Sequence, residues 1–231
     1  AHRGGSMEAP ENTLEAFEYA LELGCAYIET DVQLSADGIP YIFHDDNLLR
    51  LLGRETLFNS LNSSEIDNLR LFDSYQIPKL KAALDKFPEA LFQIDVKTDE
   101  VAMPALKVIE ECNSLNRICI ASFSSDRLKK VNNAYPEVCL SMGPKEVVKL
   151  LLASFGLYRK KIPGNCLQIP IYQYGIKLVT QRFVDYVQSI DLKIHVWTIN
   201  DVPTMQKLID MKVDGIITDK PSELKKLNSV N

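Results

Sequence analysis

Two carboxylates set two residues apart on a strand-like run raise the first chemical question. In "YIETDVQL" (27–34), Glu29 and Asp31 project from one side of an extended chain with Tyr27 and Gln33. Ile28, Thr30, Val32 and Leu34 take the other side. The split recurs in "FQIDVK", where Phe92, Ile94 and Val96 oppose Gln93, Asp95 and Lys97. Glu29, Asp31 and Asp95 brought to one place repel unless a cation lies among them. Three hard oxygen donors without thiolate suit one divalent cation, Mg²⁺ or Ca²⁺, better than zinc. The duller alternative is an internal network in which Arg or Lys neutralises the acids. His44 follows the first strand closely and His2-Arg3 stands at the start of the chain. Imidazoles titrate at about pH 6.5, so both histidines can move protons near neutrality.

Positioning these groups is the work of a β/α alternation. Strand-like runs fall at 27–34, 91–97, 118–123, 138–142, 166–170, 194–199 and 215–218, with a stub at 1–3. Amphipathic stretches lie between them, such as Leu14, Phe17 and Leu21, or Phe183, Val184, Val187 and Ile190. Asn12 with Glu15 resembles a capping box, and Gly24 ends the first helix. Eight strands with helical crossovers predict a (β/α)₈ TIM barrel formed by 1–231 as a single domain. An open doubly wound sheet is the rival, and no GxGxxG turn supports it. In a barrel the apolar strand faces meet the helices, which leaves Glu29, Asp31, Asp95 and Lys97 pointing inward at the C-terminal ends. The run at 39–43 follows too soon for a crossover, so Asp37-Gly38 predicts a two-residue hairpin turn pairing Ala36 with Ile39 and Asp31 with His44. Residues 44–78 form a hairpin/lid insertion after the second strand, expected over the barrel mouth. Within it, Leu48, Leu49, Leu51 and Leu52 make either a small core of the lid or a contact for a lipid tail.

Composition narrows the partners. The 231 residues are 46% apolar with a formal charge of −5 and no basic stripe, which argues against nucleic acid as a partner. Membrane contact is possible but not indicated, because no apolar run approaches the roughly 18–20 residues a span needs. Cys25, Cys112, Cys119, Cys139 and Cys166 contain no CxxC and are odd in number, so free thiols in a reducing, cytoplasmic setting are expected. The chain opens Ala-His-Arg rather than with Met, which leaves room for a processed or longer N-terminus.

"AHRGG", "PENTLEAF", "ETDVQLSADGIPYIFHDD", "FQIDVK", "IHVWTIND" and "VDGIITDKPSEL" together resemble the glycerophosphodiester phosphodiesterase family nearly end to end. The resemblance implies a barrel that hydrolyses a glycerophosphodiester to sn-glycerol 3-phosphate and an alcohol. It assigns the acid/base pair to His2 and His44 and the metal ligands to Glu29, Asp31 and Asp95. Arg3 and Lys97 become phosphate contacts, and Trp197 a wall of the substrate pocket. Many family members carry Glu-x-Lys on the third strand where this chain has Asp95-Val96-Lys97. Sphingomyelinase D-type barrels share the shorter acid, so a lipid-directed phospholipase D-type activity on lysophospholipid or sphingolipid is the alternative. A non-catalytic barrel that binds phosphodiesters is the weakest reading. Asp45 is expected to orient an imidazole or to lie in a surface turn, and Glu11 to bond site groups or to cap a helix. His195 is expected to be a core histidine, and Asn200 and Asp219 to shape loops.

Overall fold

The computed structural model describes residues 1–228. Its strands are β1 (Tyr27–Leu34), β2 (Pro40–Ile42), β3 (Leu91–Val96), β4 (Ile118–Ala121), β5 (Cys139–Leu140), β6 (Cys166–Pro170), β7 (Tyr172–Gln173), β8 (Ile176–Lys177), β9 (Lys193–Trp197) and β10 (Gly215–Ile216). Its helices are α1 (Leu14–Glu22), α2 (Leu49–Leu52), α3 (Ser63–Asp67), α4 (Leu80–Lys86), α5 (Asp99–Glu111), α6 (Ser125–Ala134), α7 (Pro144–Ser154), α8 (Gln181–Ser189), α9 (Val202–Asp210) and α10 (Pro221–Asn228). The long strands β1 and β3 match the apolar/polar alternation that announced them. β5 and β10 shrink to two residues each, because only part of each expected run forms ladder hydrogen bonds.

Parallel pairing runs β1–β3–β4–β5 in one sheet and β6–β9–β10 in another. Single parallel bridges join what remains: Ser141 to Cys166 on one side, His2 to Glu29 on the other. The His2 amide donates to the Thr218 carbonyl at 2.9 Å. The stub at His2 therefore stands as the eighth stave of a (β/α)₈ ring. Ile28, Phe92, Ile94, Val96 and Ile120 face outward and bury against Phe17, Ala105 and Ile109 of the surrounding helices. Leu167, Ile169, Ile194 and Val196 do the same against Phe183, Val187 and Met205. The outward apolar face is thus the core, and the polar face is left for the interior.

Two local expectations change. The hairpin closes through a three-residue loop with Gly38 at φ 83°, and β1 pairs Leu34 with Pro40 and Val32 with Ile42. Phe43, not His44, stands opposite Asp31, its amide donating to the Asp31 carbonyl at 3.0 Å. The Ser35 hydroxyl fixes that loop by accepting from the Ile39 amide at 2.9 Å. The cap of α1 is Thr13, whose hydroxyl accepts from the Ala16 amide at 3.1 Å. Asn12 turns its side chain elsewhere, with φ at 56°.

The insertion carries its own core of Tyr41, Phe43, Leu48, Phe58, Ile66, Leu71 and Ile77, with Leu51 and Leu52 packed on it. Leu49 alone of the four leucines is exposed. The expected lid contributes His44 to the lining of the barrel mouth and nothing from 45–78. No helix among the described residues is long and apolar enough to cross a membrane.

Candidate active site

At the C-terminal ends of the strands lies a cleft of about 690 Å³. All eight residues singled out for chemistry line it: His2, Arg3, Glu29, Asp31, His44, Asp95, Lys97 and Trp197. Strand register explains the acids. Asp31 on β1 is the direct partner of Asp95 on β3, and Glu29 sits one inward step earlier. Gly4 follows His2-Arg3 at φ 81°, and a Cβ there would lie 2.7 Å from the Ala16 Cβ, so glycine lets this segment press against α1.

Lys97 Nζ lies 2.7 Å from both Asp31 Oδ1 and Asp95 Oδ2. The Arg3 Nε stands 3.5 Å from Asp31 Oδ2. Glu29 accepts the Arg3 amide at 3.0 Å and lies 3.7 Å from His2 Nε2. Burial and the neighbouring Asp31 push the Glu29 carboxyl up to about 7. Burial raises Asp95 as well, and Lys97 offsets only part of it. For Asp31, burial is outweighed by Lys97, His44 and Arg3, so its carboxyl is lowered. Lys97 itself is desolvated, yet the two aspartates hold its ammonium above the usual range.

Part of the ion-pair alternative is therefore realised, with Lys97 seated between two aspartates. Among the described residues the three acids do not close to within 4.8 Å of one another as a ligand set. Compensation is still incomplete. Asp95 Oδ1 and Arg3 Nε are buried without a hydrogen-bond partner. A bare carboxylate oxygen beside a carboxyl that burial has raised marks a cluster short of positive charge. Its all-oxygen donors fit a hard divalent cation.

Each imidazole has a carboxylate behind it. His2 Nδ1 lies 2.5 Å from Asp219 Oδ1, and Asn200 Nδ2 donates to the other Asp219 oxygen at 2.7 Å. Ser6 donates to Asp219 as well. Burial opposes ionisation of Asp219, but His2, Ser6 and Asn200 together hold its carboxyl well below the usual range. Burial works to lower the His2 pKa, and the Asp219 bond and the Glu29 charge outweigh it, so the net shift is upward. His44 Nδ1 lies 2.5 Å from Asp45 Oδ1, and Arg50 Nε donates to the second Asp45 oxygen at 2.7 Å. Arg50 also forks onto Glu11 at 2.6 and 2.9 Å, and Glu11 accepts from Arg3 at 3.1 Å. Glu11 is thus a site group, not a cap.

Sequence reasoning missed three positions. Asp219 stood as a loop residue, although its place just after a strand end was a usable signal. Asn12 stood as a cap, yet its amide donates to Asp31 Oδ2 at 3.1 Å and its carbonyl accepts from Thr30 at 2.8 Å. Arg50 had no local signal, since its partners come from two separate segments. Trp197 meets Phe123 edge-on at 5.8 Å and begins an apolar wall opposite the charges. That wall continues through Leu152 of α7, Tyr174 and Ile176.

Residues 2–223 match the sequence model of the "Glycerophosphoryl diester phosphodiesterase family". A Mycobacterium tuberculosis protein named "Probable glycerophosphodiester phosphodiesterase 2" is 33% identical, covering 97% of this chain and 88% of that protein. A glycerophosphodiester phosphodiesterase from Thermotoga maritima superposes with a TM-score of 0.76 at 26% identity, covering 100% of this chain and 96% of its own. An Oleispira antarctica phosphodiesterase, solved with the product sn-glycerol-3-phosphate, superposes at 0.83 with 24% identity over 99% and 95% of the two chains.

Proposed function

The chain belongs to the glycerophosphoryl diester phosphodiesterase family, and from that premise we propose that it hydrolyses a glycerophosphodiester to sn-glycerol 3-phosphate and an alcohol. One observation carries the reading: two imidazoles, each backed by a carboxylate, share a cleft with Arg3 and Lys97. Arg3 Nε, which makes no hydrogen bond although Asp31 Oδ2 stands 3.5 Å away, offers a donor to a phosphoryl oxygen, and Lys97 adds a point charge. Such preorganised charge stabilises the negative oxygens of the transition state. One histidine takes the proton from the nucleophile, and the other gives a proton to the departing alkoxide. The nucleophile is either the substrate's neighbouring glycerol hydroxyl, which leaves a cyclic phosphate for water to open, or water itself.

Glu29, Asp31 and Asp95 are the residues that would hold a divalent cation, Mg²⁺ or Ca²⁺. When bound, such an ion supplies Lewis-acid stabilisation of phosphoryl charge. The test of the histidine roles is the pair His2→Ala and His44→Ala, assayed on glycerophosphocholine. Each should lose at least ~100-fold in turnover with an unchanged circular-dichroism spectrum. Near-normal rates in both variants would remove the assignment.

The apolar wall favours a second reading on the same chemistry, with lysophospholipid as substrate. Phe123 is 66% exposed, Ile176 57% and Tyr174 94%, and all three border the cleft. Contiguous exposed apolar surface at a binding cleft suits an acyl chain. The free thiols favour a reducing compartment, and so the cytoplasm, as the place where the chain works.

A further inference from the structure

Three of the five cysteines converge in one layer of the barrel. Cys119, Cys139 and Cys166 each stand two residues before a cleft-lining residue, namely Ala121, Ser141 and Gln168. The period-2 geometry of strands therefore turns all three thiols inward, one layer below the cleft toward the N-terminal ends. Their sulfurs lie within 4.8 Å of one another, and no other group of three or more Cys, His, Asp or Glu among the described residues is that tight. Cys119 and Cys166 are buried and 3.6 Å apart at sulfur, while Cys139 is half-buried. Cys119 and Cys139 are direct partners on β4 and β5.

A tetrahedral zinc site with Zn–S bonds of about 2.3 Å separates its sulfurs by roughly 3.8 Å. The Cys119–Cys166 spacing of 3.6 Å is already close to that. His195, on β9 beside Gln168 of β6, is a candidate fourth donor, and its ring nitrogens stand outside the group of atoms that lie within 4.8 Å of one another. His195 precedes cleft-lining Trp197 by two residues, and among the described residues its ring nitrogens form no hydrogen bond. Gly215 makes room for that ring, since a Cβ there would lie 2.7 Å from His195 Cδ2. The position has a structural use as well. β5 is two residues long, and a single bridge, Ser141 to Cys166, joins it to β6. A cation held by Cys119, Cys139 and Cys166 ties together β4, β5 and β6 at a seam that a single bridge closes.

We propose that Cys119, Cys139 and Cys166 form a thiolate site for a thiophilic divalent cation, Zn²⁺, with His195 as the candidate fourth donor. This site is separate from the hard-oxygen cluster of the cleft and does not depend on the reaction proposed above. Thiolate donors select zinc over Mg²⁺ or Ca²⁺. Zn²⁺ binding displaces the thiol protons of its cysteine ligands, so it should strengthen as pH rises.

The test is titration of the metal-free protein, kept reduced, with Zn²⁺ against a chromogenic chelator and with Co²⁺ by absorbance. The expected result is one equivalent of chelator-resistant zinc, a near-ultraviolet cobalt–thiolate band and a higher melting temperature on zinc binding. All three should survive in the Cys25→Ser/Cys112→Ser double variant. Zinc affinity should fall at least ~10- to 100-fold in Cys119→Ser/Cys166→Ser, with hydrolytic activity retained. Should that core variant not fold, Cys139→Ser at the half-buried position carries the same comparison. Absence of the cobalt–thiolate band, or equal zinc affinity with and without the three thiols, overturns the site.

Discussion

Of the side chains in the cleft, Asp219 changes the account most. It comes 217 positions after His2, yet its carboxylate sits 2.5 Å from the His2 ring while Asn200 and Ser6 hold it in place. A carboxylate in that position orients the imidazole and favours its charged form. It touches no reacting atom, so it is a positioning residue. Asp219→Asn removes the charge that raises the His2 pKa. Turnover should fall by about 10-fold or more, and the limb of the pH–rate profile that belongs to His2 should move to lower pH. A variant that loses only thermal stability, with that limb unmoved, would reduce Asp219 to a packing role. The convergence of Glu29, Asp31 and Asp95 was legible in the sequence, because side-chain alternation on a strand is a fixed geometric rule. The partners of His2 and His44 were legible only in part. Asp45 adjoins His44 in the chain, whereas Asp219 and Arg50 reach the site through tertiary folding.

Among the elements, the hairpin after β1 shows how a right conclusion can rest on a wrong register. Asp37-Gly38 did signal a tight turn, but the Ser35 hydroxyl lengthens the loop to three residues and shifts the pairing by one. His44 reaches the cleft all the same, because β2 ends at Ile42 and frees the residues that follow. The β7–β8 hairpin went unread, since "YQYGIK" lacks a strong turn dipeptide and its strands are two residues each. That hairpin and α7 together build the apolar wall, and they decide the second substrate reading. Leu152→Ser combined with Ile176→Ser removes apolar surface from both. Activity on lysophosphatidylcholine should fall by about 10-fold, while glycerophosphocholine turnover stays within ~2-fold. Equal losses on the two substrates, or no lysolipid activity in the parent protein, would rule out an acyl-chain role for the wall.

For the whole molecule, the ring gathers more negative than positive charge at its mouth, and this ties stability to pH and to ions. The Glu29 carboxyl is raised to about 7 by burial and by Asp31, so the folded state holds a proton that the unfolded chain releases above about pH 4.5. Between those values the native state binds more protons, and stability falls as pH rises. In ion-free buffer the loss across that window should be on the order of 1–3 kcal/mol. Glu29→Gln should flatten that slope, as should Mg²⁺ or Ca²⁺. Denaturant unfolding at several pH values measures it, and an equally steep slope in Glu29→Gln would assign the effect to another group. The depressed Asp31 and Asp219 act with the opposite sign, contributing above the ordinary carboxylate range and losing their contribution as pH falls below it. The most direct measurement on the central claim is hydrolysis of glycerophosphocholine, followed as sn-glycerol 3-phosphate released, after exhaustive chelation and again after Mg²⁺ or Ca²⁺ is restored. Release should stop on chelation and return with the ion, in the parent protein but not in Asp31→Asn. Undiminished release from the chelated protein would contradict the carboxylate cluster as a cation site.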